Sequence, residues 1–320
     1  MRLFLLEYAT CCEELDADIA VEGLAMFKSL YTGFKSFFEI NSFVRDEFKD
    51  LFNLPTGSFE DIESFVENSD CFLVVAPEDD DILYNITKTC EKYSYNLGSS
   101  SKAIEVVADK WKLYKKLKGK VNVPKTSKKP LGDLFIVKPR KSCGGNGIRF
   151  SNELPKGFIA QEYINGLNLS VSLIVKDEIV PISINEQILD GFKYRGAIIP
   201  ARVDENMKEE VFNEAIEAVE RIKGLKGYVG VDVVYSDIPY VIEINSRITT
   251  PSIAFEYVYG VNVAELIYRL HFDEIELPKN FRRHILLKED KAIKNSFVTL
   301  GNYSITVKEY DDFNSPSSLQ

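Results

Sequence analysis

The chain has 320 residues, 45% of them hydrophobic and 28% charged, with a formal net charge of -10 and an isoelectric point near 5.0. There is apolar material for two or three packed units, and the acidic balance excludes a general binder of nucleic acid or of anionic membrane, since basic surfaces hold such partners. Five scattered cysteines, an odd number, exclude a disulfide framework, and no run is long enough for a membrane span, so a cytoplasmic protein is expected.

Residues 2–8 are predicted as a strand. The run Leu3-Phe4-Leu5-Leu6 is cut at once by Glu7, so it reads as a buried first strand and not as a signal peptide. Ala20, Leu24, Phe27 and Tyr31 then recur at helical spacing. Residues 70–76 are a second apolar run, followed by an acidic helix start at 78–81. This alternation predicts a parallel sheet, and residues 1–100 are expected to form a small α/β domain. No glycine fingerprint for a dinucleotide follows the first strand, which disfavours a dehydrogenase.

Residues 99–118 predict one helix, in which Asp109-Lys110, taken alone, reads as a surface ion pair. Residues 121–126 read as a short extended piece. Residues 134–139 are a buried-type strand with Lys138 at its mouth, leading into Arg140-Lys141-Ser142-Cys143-Gly144-Gly145-Asn146-Gly147. A lysine before a glycine cluster with bare backbone amides suits a polyphosphate, so this stretch reads as a flexible flap over phosphates. A glycine hairpin with basic surface residues is the alternative. The stretch is neither a P-loop nor a Rossmann turn, and Cys143 reads as a small loop residue.

Residues 158–164 form a further strand ended by Asn165-Gly166, an edge that offers backbone groups to an adenine ring. Residues 169–175 and 178–185 predict a hairpin, 190–196 an exposed loop, 207–222 an amphipathic helix and 263–270 a short helix. From Asn302 onward the polar tail is expected to be extended or frayed.

Residues 230–247 predict an antiparallel hairpin whose polar turn covers 236–239. A turn symmetric about Asp237 and Ile238 pairs residues 235 with 240 and 233 with 242, and sets Asp232 opposite Glu243. Opposed carboxylates among valines and isoleucines are costly unless a cation lies between them. Asn245 shares their face, and Gly230 across from it is expected to leave room for a ligand. Oxygen ligands of this kind suit Mg²⁺ or Mn²⁺. A solvent-facing hairpin with incidental acids is the competing reading.

The order Asp109-Lys110, Val123-Pro124-Lys125-Thr126, Ile136-Val137-Lys138-Pro139, the glycine flap, Gln161-Glu162-Tyr163-Ile164 with Gly166, Gly230 with Asp232, and Glu243-Ile244-Asn245 resembles the ATP-grasp superfamily of ligases. The resemblance implies an α/β protein with α+β lobes, an ATP-grasp fold behind an N-terminal parallel α/β pre-ATP-grasp domain. The implied units are 1–100, an ATP-binding lobe with the flap at 101–165, and a lobe with the metal site at 166–320. It further implies Lys110 and Lys138 on the ATP phosphates, Gly144, Gly145 and Gly147 in the flap, and Gln161, Glu162 and Ile164 around adenine. Asp232, Glu243 and Asn245 are the implied ligands of Mg²⁺ or Mn²⁺. Asn168 stands where many members carry a glutamate for the ribose hydroxyls; an amide still bonds a hydroxyl, but the charge-assisted bond is lost.

Within the superfamily, Leu6-Glu7-Tyr8-Ala9-Thr10 and residues 243–251 are most similar to the archaeal tyramine–glutamate ligases of methanofuran biosynthesis. That similarity implies phosphorylation of the γ-carboxylate of L-glutamate by ATP and displacement of phosphate by the amine of tyramine. Arg247 would then stabilise the acyl phosphate, Arg195 and Arg202 are candidates for the α-carboxylate, and Phe192, Tyr194 and Phe255 are candidate walls for the aromatic amine. Another ATP-grasp amino-acid or peptide ligase and a nucleotide-binding regulatory protein without catalysis stay open as alternatives, as does homo-oligomerisation. The intact acidic triad speaks against the regulatory protein.

Overall fold

The computed structural model describes residues 1–275 and 281–310. Its first sheet is parallel, in the order Glu39–Asn41, Arg2–Glu7, Cys71–Val75, Tyr95–Asn96. Leu3 to Leu6 are fully buried, as a continuous apolar run requires when both faces of a parallel sheet are covered. The first strand ends on Glu7, whose carboxylate caps the short helix Tyr8–Cys11. It accepts from the amides of Ala9 and Thr10 at 3.1 and 2.9 Å and from the Thr10 hydroxyl at 2.6 Å.

A small antiparallel sheet follows, ordered Thr126–Ser127, Phe158–Gln161, Phe135–Pro139, Arg149–Ser151. The third sheet has eight strands, ordered Pro239–Asn245, Gly227–Tyr235, Leu167–Val175, Ile179–Asp190, Lys193–Ile199, His284–Glu289, Tyr303–Glu309, Val298–Leu300. One apolar core joins the N-terminal sheet to Phe255, Leu286 and Ile305 from the far end of the chain. A second packs the helix Glu205–Glu220 under the central strands of the large sheet.

Four expectations are corrected here. The single helix over 99–118 is two, Ser101–Val107 and Lys110–Leu117, because Asp109 takes an extended backbone and caps the second by accepting from the Trp111 and Lys112 amides at 3.0 and 3.2 Å. Asp109 is 1% exposed and pairs with Arg140, so it is not part of a surface pair with Lys110. The exposed loop at 190–196 is the tip of a hairpin, with Ile179–Asp190 and Lys193–Ile199 paired up to Asp190 and Lys193. The tail from Asn302 is extended as expected where it is described, as the strand Tyr303–Glu309 with neighbours on both sides; 311–320 lie outside the described residues.

The fourth correction concerns the hairpin register. Asp232 does lie opposite Glu243 and Gly230 opposite Asn245, but beyond them Val233 pairs with Val241, Val234 with Tyr240 and Tyr235 with Pro239. The turn is one residue off the symmetric one, and Ile242 bulges out of the ladder to restore the register at the acids.

Candidate active site

Strand Gly227–Tyr235 lies between Leu167–Val175 and Pro239–Asn245, which fixes Asp232 and Glu243 side by side on one face. Asp232 accepts from Gln187 Nε2 at 3.0 Å and from Asn245 Nδ2 at 3.1 Å. Burial first, and then the charge of Glu243, push its carboxyl up to about 7. Glu243 is held at 2.9 Å by the ammonium of Lys110. Two carboxylates and an amide converging from one hairpin form an all-oxygen donor set, and a carboxylate held this far from its ordinary state has much to gain from a cation. These residues therefore fit a magnesium or manganese ion. The room expected above Gly230 is taken, since a Cβ there would come within 2.7 Å of Thr249 Cγ2.

The two lysines are placed differently from each other. Lys138, at the end of its strand, is 6% exposed and lines a cavity of about 290 Å³; burial pushes its ammonium down to about 8, against the pull of Glu243. Lys110 does not line that cavity. It is buried behind Glu243 and donates to the carbonyl of Ser142 at 2.8 Å, so it ties the base of the flap to the acid pair; burial pulls its pKa down, but Glu243, with Glu78 and Asp79, raises it overall.

The flap is fastened. Its first residue bonds back to the helix start, Lys110 N to Arg140 O at 2.9 Å, while the Arg140 guanidinium grips Asp109. Lys141 pairs with Asp81 at 2.6 Å, and the Cys143 amide donates to Asp79 at 3.2 Å, both acceptors belonging to the acidic turn of the N-terminal part. Gly144, Gly145 and Gly147 have φ of 64°, 77° and 74°, and a Cβ on Gly145 would sit 2.1 Å from the Phe192 carbonyl oxygen. The loop expected to swing freely thus rests on the hairpin tip. Burial pushes the Cys143 thiol well above its usual range, which leaves it protonated and unreactive.

Gln161, Glu162, Ile164 and Asn168 all line the same cavity as Lys138, Gly144, Gly145, Asp232, Glu243 and Asn245. Gly147 does not line it and instead packs toward Pro139. Gln161 donates to the Thr126 hydroxyl at 3.0 Å, and the Glu162 amide to the Lys125 carbonyl at 2.9 Å, so the edge is braced by the extended piece before it. Phe192 and Tyr163 also line the cavity, with Phe150 between them at ring distances of 5.6 and 5.1 Å.

Arg247 reaches the cavity with its Nε and Nη2 on Glu78 at 2.8 and 3.0 Å, an ion pair that crosses from the large sheet to the N-terminal part. Arg195 and Arg202 do not line the cavity. Arg195 pairs with Asp290 at 2.7 Å and with Asp190 at 3.4 Å, and Arg202 with both oxygens of Glu186 and with Tyr310. They are structural ion pairs of the sheet. Phe255 is wholly buried in the core and is no wall either. Sequence reasoning missed Gln187, Glu22, Glu78 and Lys288, which reach the cavity or its residues from distant elements. No local signal marks them, because their partners lie 45, 228, 169 and 266 positions away.

The ATP-grasp domain family matches residues 107–251, and the pre ATP-grasp 3 domain family matches residues 47–104. The tyramine–L-glutamate ligase of Methanocaldococcus fervens is 38% identical over 301 residues, covering 87% of this chain and 100% of the relative. That of Methanocaldococcus jannaschii is 38% identical over 305 residues, covering 87% and 94%. A crystal structure of an ATP-grasp superfamily protein from Archaeoglobus fulgidus, 52% identical, superposes with a TM-score of 0.92 over 97% of this chain and 100% of that one.

Proposed function

The chain belongs to the ATP-grasp family and is an ATP-dependent carboxylate–amine ligase, and from that premise we propose that it joins the γ-carboxylate of L-glutamate to tyramine, releasing ADP and phosphate. The observation that carries this reading is the likeness to tyramine–L-glutamate ligases over 100% and 94% of their lengths. It is supported by a single cavity in which the buried Lys138, the glycine flap and the acid pair stand together with aromatic side chains.

Lys138 and the flap amides hold the terminal phosphates, while the Gln161–Ile164 edge and Asn168 receive the adenine and ribose. Asp232, Glu243 and Asn245 would bind Mg²⁺ or Mn²⁺, which supplies charge neutralisation on the transferring phosphoryl group. The substrate carboxylate oxygen attacks the terminal phosphorus, the bond to ADP breaks, and an acyl phosphate forms. The amine nitrogen then attacks the acyl carbon, a proton leaves the nitrogen, and phosphate departs with the bonding pair. Arg247, held in orientation by Glu78, presents a fixed positive charge to the phosphate that builds up and leaves. Grouping of cations and acids at the terminal phosphate favours ADP over AMP as the product. Residues 1–100, 101–165 and 166–320 act in this reading as substrate wall, nucleotide lobe and metal lobe of a cytoplasmic enzyme.

Incubation with ATP, L-glutamate and tyramine should yield ADP, phosphate and γ-glutamyltyramine, with the amide placed by mass-spectrometric fragmentation. An AMP product, an α-linked amide or a preference for tyrosine over tyramine would refute the specific assignment.

A further inference from the structure

With Arg195 and Arg202 committed elsewhere, the α end of the carboxylate substrate has no holder among the residues the sequence suggested. Glu22, Tyr194 and Lys288, which line the cavity, supply one. Lys288 is 9% exposed and, among the described residues, spends two of its three N–H bonds, on Glu22 Oε1 at 2.7 Å and the Asp18 carbonyl at 3.2 Å. Glu22 is fixed by the Thr250 hydroxyl at 2.5 Å. Tyr194 lines the same cavity, and its hydroxyl is buried and has no hydrogen-bond partner among the described residues. A buried polar group without a partner is costly, and a ligand that reached it would complete it.

We propose that Lys288, Tyr194 and Glu22 form the clamp for the α-amino-acid end of the carboxylate substrate, with Lys288 and the Tyr194 hydroxyl on the α-carboxylate and Glu22 on the α-ammonium. A cation and an anion fixed side by side match a zwitterion; a lone amine has no use for Lys288, and a lone carboxylate none for Glu22. Burial, followed by the charge of Glu22 and, after Tyr228, that of Asp232, keeps the Tyr194 phenol protonated, so it is a donor. Glu22, Tyr194 and Lys288 line the same cavity as Asp232 and Arg247. A substrate gripped at its α end therefore directs its side-chain carboxylate toward Asp232 and Arg247, which gives the γ-linkage a structural cause. This inference rests on L-glutamate being the carboxylate substrate.

The test is steady-state kinetics on the full chain with glutamate, with 4-aminobutyrate (which lacks the α-carboxylate) and with glutarate (which lacks the α-ammonium). Wild-type turnover with glutamate is read first, since its absence overturns the substrate reading and the clamp with it. Tyr194→Phe, which keeps the shape of the side chain, is expected to raise the KM for glutamate about tenfold, with those for ATP and tyramine within about twofold. The same variant should reduce the preference for glutamate over 4-aminobutyrate about tenfold, and Glu22→Gln should reduce the preference over glutarate by a similar factor. Lys288→Met leaves Glu22 without its cation and is expected to lose stability, so the decision rests on the other two. Unchanged glutamate KM and preferences in Tyr194→Phe would overturn the clamp alone. A rise confined to the KM for tyramine would assign the pocket to the amine and overturn it too.

Discussion

Replacing Asp232 by asparagine should stabilise the metal-free protein while abolishing turnover. The rise of its carboxyl from 3.8 to about 7 corresponds to about 4 kcal/mol of penalty on the charged form above that pH. Because the folded value is higher than the unfolded one, the penalty is absent below about 4, grows as the pH rises to about 7 and is constant beyond. Asparagine removes the charge but offers one acceptor where Gln187 and Asn245 now find two, a loss of about 1–1.5 kcal/mol. The net gain is about 2–3 kcal/mol at pH 8, or a rise in Tm of roughly 5 °C for a chain of this size. Thermal unfolding in chelator at pH 8 and at pH 5 measures it, and the gain should shrink at the lower pH. Added Mg²⁺ or Mn²⁺ should raise the Tm of the wild type and leave the variant unmoved. A variant less stable than wild type at pH 8, or one that responds equally to the metal, would refute both the electrostatic account and the ligand assignment.

Lys138→Ala should raise the KM for ATP and slow turnover, with Lys138→Arg recovering only part, because the pocket is shaped for a point charge and not for a planar fork. With an ammonium held near 8, metal-free ADP binding should weaken as the pH rises through that value, which calorimetry between pH 7 and 9 would detect. Gly145→Ala sets a Cβ against the Phe192 carbonyl in a backbone region that side chains avoid; a cost of about 1–3 kcal/mol and faster proteolysis within the flap are expected, with a higher KM for ATP. Arg195→Ala and Arg202→Ala should leave the KM for glutamate and the kcat within about twofold, since their partners are exposed or sheet carboxylates outside the cavity. A tenfold change in either constant would return these arginines to the substrate.

The local chemistry of this chain was legible in its sequence. A strand that ends on Lys138, a glycine run needing positive φ, and Asp232 facing Glu243 across a short turn are all properties of contiguous residues, governed by backbone sterics and the period-two alternation of a strand. Even there the register was reached by two offsets that cancel, a shifted turn and the bulge at Ile242, which no symmetric pattern discloses. Only the tertiary structure decided which charges face the cavity. Arg195 and Arg202 look as available as Arg247 or Lys288 in the sequence, but a cation's role depends on which acid lies next to it, and the acids that take these four are Asp290, Glu186, Glu78 and Glu22. Those pairings are made by the ordering of eight strands and by a core shared between the two ends of the chain. Sequence periodicity carries the face of each element; it carries nothing about the order in which elements are laid side by side, and the electrostatics of the site follow from that order.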